Sequence, residues 1–235
     1  MTGLRYVYAV CRPFRAALQA QLTGVGGVPV GLLNHQGLVA VVSTVPASDF
    51  AEEPLLEHLA DPDWRAAVAR CHQCVIDALT AVTTPLPLRP ATVCCDDSAL
   101  RAMMEAREAE FTHTLDRLDG RVEWGVRVYT ETQPAEEFAT RLHAMLSRYA
   151  EDSRFRSRKL SAPELSGGTG HNVLNAAYLV SRADSEEFVE MVDRAKSDAL
   201  PGVRVELAGP WAAYSFAGEY AEEKEMHGAY CGPRS

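Results

Sequence analysis

The chain has no long hydrophobic run. None of its apolar segments approaches the roughly 18–20 residues a helix needs to cross a bilayer. The opening MTGLRYVYAVCRPF carries an early Arg and only a short apolar stretch, without the long apolar region and small-residue cleavage site of a secretory leader. These lacks predict a cytoplasmic protein without a membrane partner. A basic excess is missing too. The net charge is −9 over 235 residues, opposite in sign to the footprint of a general nucleic-acid binder, so no nucleic-acid partner is expected. There is no internal repeat and no low-complexity segment. What remains is ordinary globular composition, with 47% hydrophobic and 23% charged residues.

The signatures of catalysis are absent as well. There is no G-x-S-x-G nucleophile turn and no H-E-x-x-H metal spacing. Gly24-Val25-Gly26-Gly27 and Ser166-Gly167-Gly168-Thr169-Gly170 imitate phosphate-cradling loops. Neither ends in Gly-Lys-Ser/Thr, and the second leads into a strand, whereas phosphate binding needs the amides of a helix N-terminus. The pairs Glu52–Glu53 and Asp96–Asp97 lie at helix starts, where the helix dipole accounts for them. No catalytic residue, cofactor or metal is therefore expected, and the reading is of a non-enzymatic protein.

One motif keeps an alternative open. Cys71-His72-Gln73-Cys74 could in principle be redox-active or ligate zinc, with Cys94 and Cys95 completing a set. On that reading the protein is a metal-dependent or small-ligand enzyme using Cys71, His72 and Cys74. Against it, the motif sits mid-helix, where Cys71 and Cys74 fall on an apolar stripe as small hydrophobes. The expectation is that both are mostly buried, reduced and metal-free, with His72 a hydrogen-bonded structural residue. All six cysteines (Cys11, Cys71, Cys74, Cys94, Cys95 and Cys231) are expected as thiols.

Periodicity orders the chain. Strand patterns cover 4–11, 28–33 and 37–44, the last two joined by a tight connection at Asn34–Gly37. A helix follows from the Ser48–Asp49 cap to about His58, bent or restarted at Pro54. Asp61–Pro62 opens the next, with Trp64, Val68, Val75 and Leu79 at helical spacing. Pro85, Pro87 and Pro90 impose an extended edge or covering loop. Asp96–Asp97–Ser98 caps one long helix to about Leu118, ended by Gly120.

The second half reads strand 121–130, helix 134–149, loop 150–170, strand 172–182, helix 184–199, strand 203–208 and strand 211–217. Gly209–Pro210 should interrupt the last two, with Trp211 largely buried beyond the break. The fold class is α+β in two domains: a mixed N-terminal domain over 1–119 and a ferredoxin-like, split-βαβ domain over 120–217. A frayed tail over 218–235 completes the chain. Arg148, Arg154, Arg156, Arg158 and Lys159 form a basic cluster read as a solvated or protein-contact segment.

Several segments also carry a resemblance. LNAAYLV over residues 174–180 and GPWAAYSF over 209–216 are similar to the C-terminal signature of the gas vesicle protein F/L family. In chain order, Tyr6-Val7-Tyr8-Ala9-Val10 resembles that family's first strand, Gly37–Ser43 its third, and Trp64 with His72 its Trp- and His-bearing helix. Pro85-Leu86-Pro87-Leu88-Arg89 resembles its LPLR segment, with Pro90 where Phe-Gly is usual, and Gly120–Val128 its central G-x-x-E-x-x-V-x-V strand. The likeness spans about residues 4–217. It implies an accessory or minor structural protein of the gas vesicle, with the small hydrophobic main shell protein and other accessory proteins as its expected partners. Trp211, Tyr214, Phe216, Asn175, Tyr178 and Arg89 are the candidate motif and partner-interface residues.

Overall fold

The first strand, β1 (Leu4–Cys11), is an almost unbroken run of buried residues, as a central strand covered on both faces must be. β2 (Val30–His35) and β3 (Leu38–Val45) form a hairpin beside it, closed by Gln36 and Gly37 at φ 45° and 77°. Two positive φ values make a two-residue turn whose twist matches the flanking strands, and glycine takes the second at no steric cost. In this computed structural model the described residues are 3–14, 22–130, 135–156, 171–218 and 230–231. The Ser166–Gly170 loop, Arg158, Lys159 and the acidic stretch after Gly218 lie outside them.

The helices of the first half depart from expectation in instructive ways. The 48–58 helix is two pieces, α1 (Ala47–Phe50) and α2 (Glu52–Leu59), parted at Ala51 rather than Pro54. Starting α2 at Glu52 puts Pro54 in the first turn, where its missing N–H would have had no partner. α3 (Pro62–Thr80) opens as its sequence predicts, with Asp61 Oδ1 accepting from the Asp63 amide at 2.9 Å. Two short strands, β4 (Leu86–Pro87) and β5 (Val93–Cys94), both pair with β1. The long helix is also two, α4 (Asp97–Ala106) and α5 (Glu108–Leu118), and no Gly or Pro announces the break at Arg107.

The second half begins with β6 (Arg121–Thr130) and α6 (Ala135–Tyr149). Residues 152–155, expected in a loop, form β7 (Asp152–Phe155) against β8 (His171–Ser181). DSRF has no apolar face to betray a strand, because it is a short edge. α7 (Ser185–Ser197) and β9 (Val203–Trp211) follow. β9 corrects the expected interruption: it runs through the cis Gly209–Pro210 bond to Trp211. Ala208 faces Gly125 and Trp211 faces Glu123, so Gly209 and Pro210 together oppose Trp124 as a bulge. A bulge needs no ladder N–H from proline, so the strand re-forms instead of ending. The expected strand 211–217 is instead a 3-10 turn, Tyr214–Phe216.

The order βαββαβ, with strands arranged β7-β8-β6-β9 and every neighbour antiparallel, is the split-βαβ, ferredoxin-like arrangement. Alternation sends Val122, Trp124, Val126 and Val128 into a core with Leu142 and Leu146 of α6 and Phe188 and Val192 of α7. Glu123 and Gly125 point to the opposite face. The first sheet has the order β10-β5-β1-β3-β2, where β10 (Tyr230–Cys231) lies parallel to β5. At residues 230–231, then, the tail is not frayed but adds an edge strand. The chain forms two compact units, Met1–Asp119 with Ala217–Ser235, and Gly120–Phe216. Among the described residues no helix is long and apolar enough to cross a membrane.

Candidate functional site

Glu123 sits mid-strand in β6 with its side chain 0% exposed. A carboxylate so placed requires a cation and hydrogen bonds to both oxygens. Arg156, just past β7, supplies an ion pair from Nη2 to Oε1. Ser215 supplies the rest: its amide donates to Oε2 at 2.7 Å and its hydroxyl to Oε1 at 2.8 Å. Arg156 Nε donates in turn to Ser215 Oγ at 3.1 Å, and Arg154 Nη1 to the Ser215 carbonyl at 2.8 Å. The network is closed, and it fastens the segment after β9 onto the sheet.

The aromatic residues of that segment take three different positions. Trp211 is half-buried at the end of β9, with the Arg156 guanidinium 5.6 Å from its ring centre. The core position expected for it is therefore corrected; the bulge returns Trp211 to the ladder on the Glu123 face, away from the helices. Gly125 makes room for it, since a Cβ there would stand 3.0 Å from Trp211 Cζ3. Tyr214 is half-buried. Phe216 is fully buried, with the Arg154 guanidinium 5.4 Å from its centre.

Asn175 and Tyr178 share β8 but not a face. Asn175, buried, accepts the Arg156 amide on its carbonyl at 2.8 Å. Tyr178 is in the helix-side core, its hydroxyl 2.8 Å from His143 Nδ1 and its ring 5.6 Å from that of Phe188. Burial raises the Tyr178 phenol above its ordinary range and lowers the His143 imidazole below its own. Arg89 belongs to the other unit, half-buried after β4, and its carbonyl accepts from the Thr92 amide and hydroxyl. The six candidates thus do not form one cluster: Trp211 and Phe216 meet the Glu123 network, Tyr214 directly precedes Ser215 in the same turn, Asn175 touches the network through the backbone, and Tyr178 and Arg89 lie elsewhere.

Glu123 entered the sequence reading only as the acid of the G-x-x-E strand motif and Arg156 only within the basic cluster, while Ser215 had no role there. Their signal was a lone acid between Val122 and Trp124 in an otherwise apolar strand. Arg154 and Arg156, read as part of a solvated or protein-contact cluster, are engaged with this segment.

The cysteine–histidine motif is inverted relative to expectation. The buried stripe of α3 is Val68, His72, Val75, Ile76 and Leu79. Cys71 is half-buried and Cys74 exposed, which corrects the expectation that both are mostly buried. The heptad-like spacing of 68, 72, 75 and 79 centres on His72, leaving the cysteines on the flanks. The Ala91 amide donates to the Tyr6 hydroxyl at 3.0 Å, and that hydroxyl lies within hydrogen-bond distance of His72 Nδ1, also at 3.0 Å. The buried His72 ring is neutral. Burial lowers its pKa to about 3, with the Leu88 backbone offsetting part of the desolvation; Nε2 itself has no hydrogen bond of good geometry. Among the described residues no three His, Cys, Asp or Glu side chains gather to hold a metal. The buried His72 imidazole and the outward Cys74 thiol do not converge on a common ligand.

Comparison with known proteins agrees with the architecture. The profile described as gas vesicle synthesis protein GvpL/GvpF matches residues 4–137 and 132–218. Gas vesicle protein L of a Streptomyces species is 47% identical, covering 95% of this chain and 96% of that protein. The crystal structure of gas vesicle protein GvpF from Microcystis aeruginosa superposes with a TM-score of 0.69 at 17% identity, over 92% of this chain and 99% of that one. That of GvpF from an Anabaena species gives 0.67 at 17% identity, over 92% and 96%. The structural neighbours support the two-sheet α+β fold. The matched profile spans both units, and with the Streptomyces relative it shows that the chain belongs to the gas vesicle synthesis protein GvpL/GvpF family.

Proposed function

We propose that this chain is a non-enzymatic assembly or minor structural protein of the gas vesicle, binding the main shell protein and supporting nucleation or growth of the shell. The observation that carries the reading is the profile match across both units, together with 47% identity to gas vesicle protein L over nearly the full length of both chains. The site chemistry fits. The Glu123 network engages its charged groups in holding a segment in place, and the charge of −9 keeps a carrier of hydrophobic cargo soluble. Trp211 and Tyr214, held half-buried by the Glu123 network, are of the residue types that anchor interfaces. The protein would work in the cytoplasm and at the vesicle.

Light scattering tests this. Denatured shell protein diluted into buffer with equimolar full-length chain should scatter far less than shell protein alone. Scattering unchanged at every ratio contradicts the proposal.

A further inference from the structure

Beyond Glu123 and Gly125, alternation puts Arg127 and Tyr129 of β6 on the same face, opposite the helices. The register sets Asn175 and Glu206 on either side of Arg127, and Asn172 and Arg204 on either side of Tyr129. Asn172 reaches this face through a bulge. Leu174 pairs with Val128 and Asn172 with Tyr129, so Val173 is an extra residue of β8. Val173 and Leu174 both pack against the helix-side core. A regular strand would send Asn172 to the side of Leu174; the extra residue turns it to the side of Asn175.

Charge is unevenly matched on this face. The Arg204 guanidinium lies 4.3 Å from the Tyr129 ring centre, and its Nη1 donates to Glu206 Oε1. Glu206 is thereby engaged by its own strand. Arg127, directly opposite Glu206, is half-buried, and among the described residues its guanidinium makes no ion pair or hydrogen bond. Asn172 is half-buried as a residue, but its Nδ2 and Oδ1 are both covered, and among the described residues neither has a hydrogen bond. A buried amide left unpaired carries its full desolvation cost, and chains keep such groups chiefly where function uses them.

We propose that Arg127 and Asn172 form a clamp for a side-chain carboxylate presented by the main shell protein. This rests on the shell-protein reading above. The planar guanidinium fork matches both oxygens of a carboxylate. Rotation of the Asn172 side chain brings its amide to the surface, where Nδ2 donates to the same carboxylate and Oδ1 accepts a backbone N–H of the same segment. The clamp borders Trp211, whose ring stands over Gly125, the preceding residue of β6 on this face. A polyanion such as a nucleic acid suits the site less, because one unpaired cation in a chain of charge −9 gives it little purchase.

The test uses the full chain and the solubilised main shell protein. Arg127→Gln removes the cation, Asn172→Leu removes the amide, and Arg141→Gln removes an exposed cation of α6 as control. The unmodified chain and Arg141→Gln should bind alike, and Arg127→Gln about tenfold or more weaker. Asn172→Leu should also bind more weakly, yet melt no earlier than the original, because it removes a buried polar group that lacks a partner. In Arg127→Lys a carbodiimide should couple the introduced amine to an Asp or Glu of the shell protein, located by peptide mass spectrometry. If the unmodified chain binds and Arg127→Gln binds equally, the clamp is wrong while the shell-protein reading stands. If the unmodified chain does not bind at all, both fall. A bound complex without that cross-link, or with one to a C-terminal carboxylate or to a second copy of this chain, overturns the proposal.

Discussion

Glu123 and Arg156 form an ion pair across the second sheet in which the carboxylate is wholly buried and the guanidinium partly open to solvent. Removing the cation strands a buried charge, which typically costs about 3–5 kcal/mol. Arg156→Ala should therefore lower the melting temperature of the Gly120–Phe216 unit and speed amide exchange in β6 and β9. The pair Glu123→Leu with Arg156→Met should recover much of the loss, since well-packed apolar replacements remove the penalty along with the pair. A single Arg156→Ala chain as stable as the original would mean that the network does not hold the segment.

Gly125→Ala probes the same place by volume. Its Cβ would press on the Trp211 ring at 3.0 Å. Overpacking of this kind costs about 1–3 kcal/mol. The Trp emission should shift to the red as Trp211 is pushed outward, while helix-side Trp124 stays put. An unchanged spectrum and stability would show that the ring moves aside freely.

His72 predicts a pH dependence. Its folded pKa, about 3, lies below the ordinary value near 6.5, so between these limits the unfolded chain binds the extra proton. Stability is fully present above pH 6.5 and falls as the pH drops toward 3, at up to about 1.4 kcal/mol per pH unit from this one group. His72→Asn, which keeps a partner for Tyr6, should show a correspondingly shallower acid slope in denaturant titrations between pH 6.5 and 4.5. Parallel slopes would refute the assignment.

Thiol labelling separates the cysteines. Cys74 is exposed, while Cys11 is buried and its thiol is pushed up to about 12 by desolvation. Under native conditions a maleimide should modify Cys74 first, leaving Cys11 and Cys94 unlabelled until the chain unfolds. Mass spectrometry of the peptides reads the order. Early labelling of Cys11 would contradict the burial of β1.

Much of this architecture was legible in the sequence. Alternation in 4–11 and 121–130 gave central strands, and Asp61–Pro62 and Asp96 gave helix starts that their side chains confirm. What was hidden followed from context. β7 has no apolar periodicity because it is an edge. The 211–217 segment alternates like a strand, yet Ser215 is held by Glu123, a partner 92 residues away that no local pattern exposes. His72 took the core position that composition assigns to cysteine, because the Tyr6 hydroxyl is there to satisfy it. The motif aromatics were visible as a cluster, but their different burials depend on a one-residue bulge.

The most direct measurement is native co-purification of the main shell protein with the tagged full-length chain from cells making gas vesicles. The account predicts that shell protein is retained by the unmodified chain and lost with Arg156→Ala, which loosens the Trp211 segment. A chain that is folded and abundant, yet retains no gas vesicle component, would contradict it.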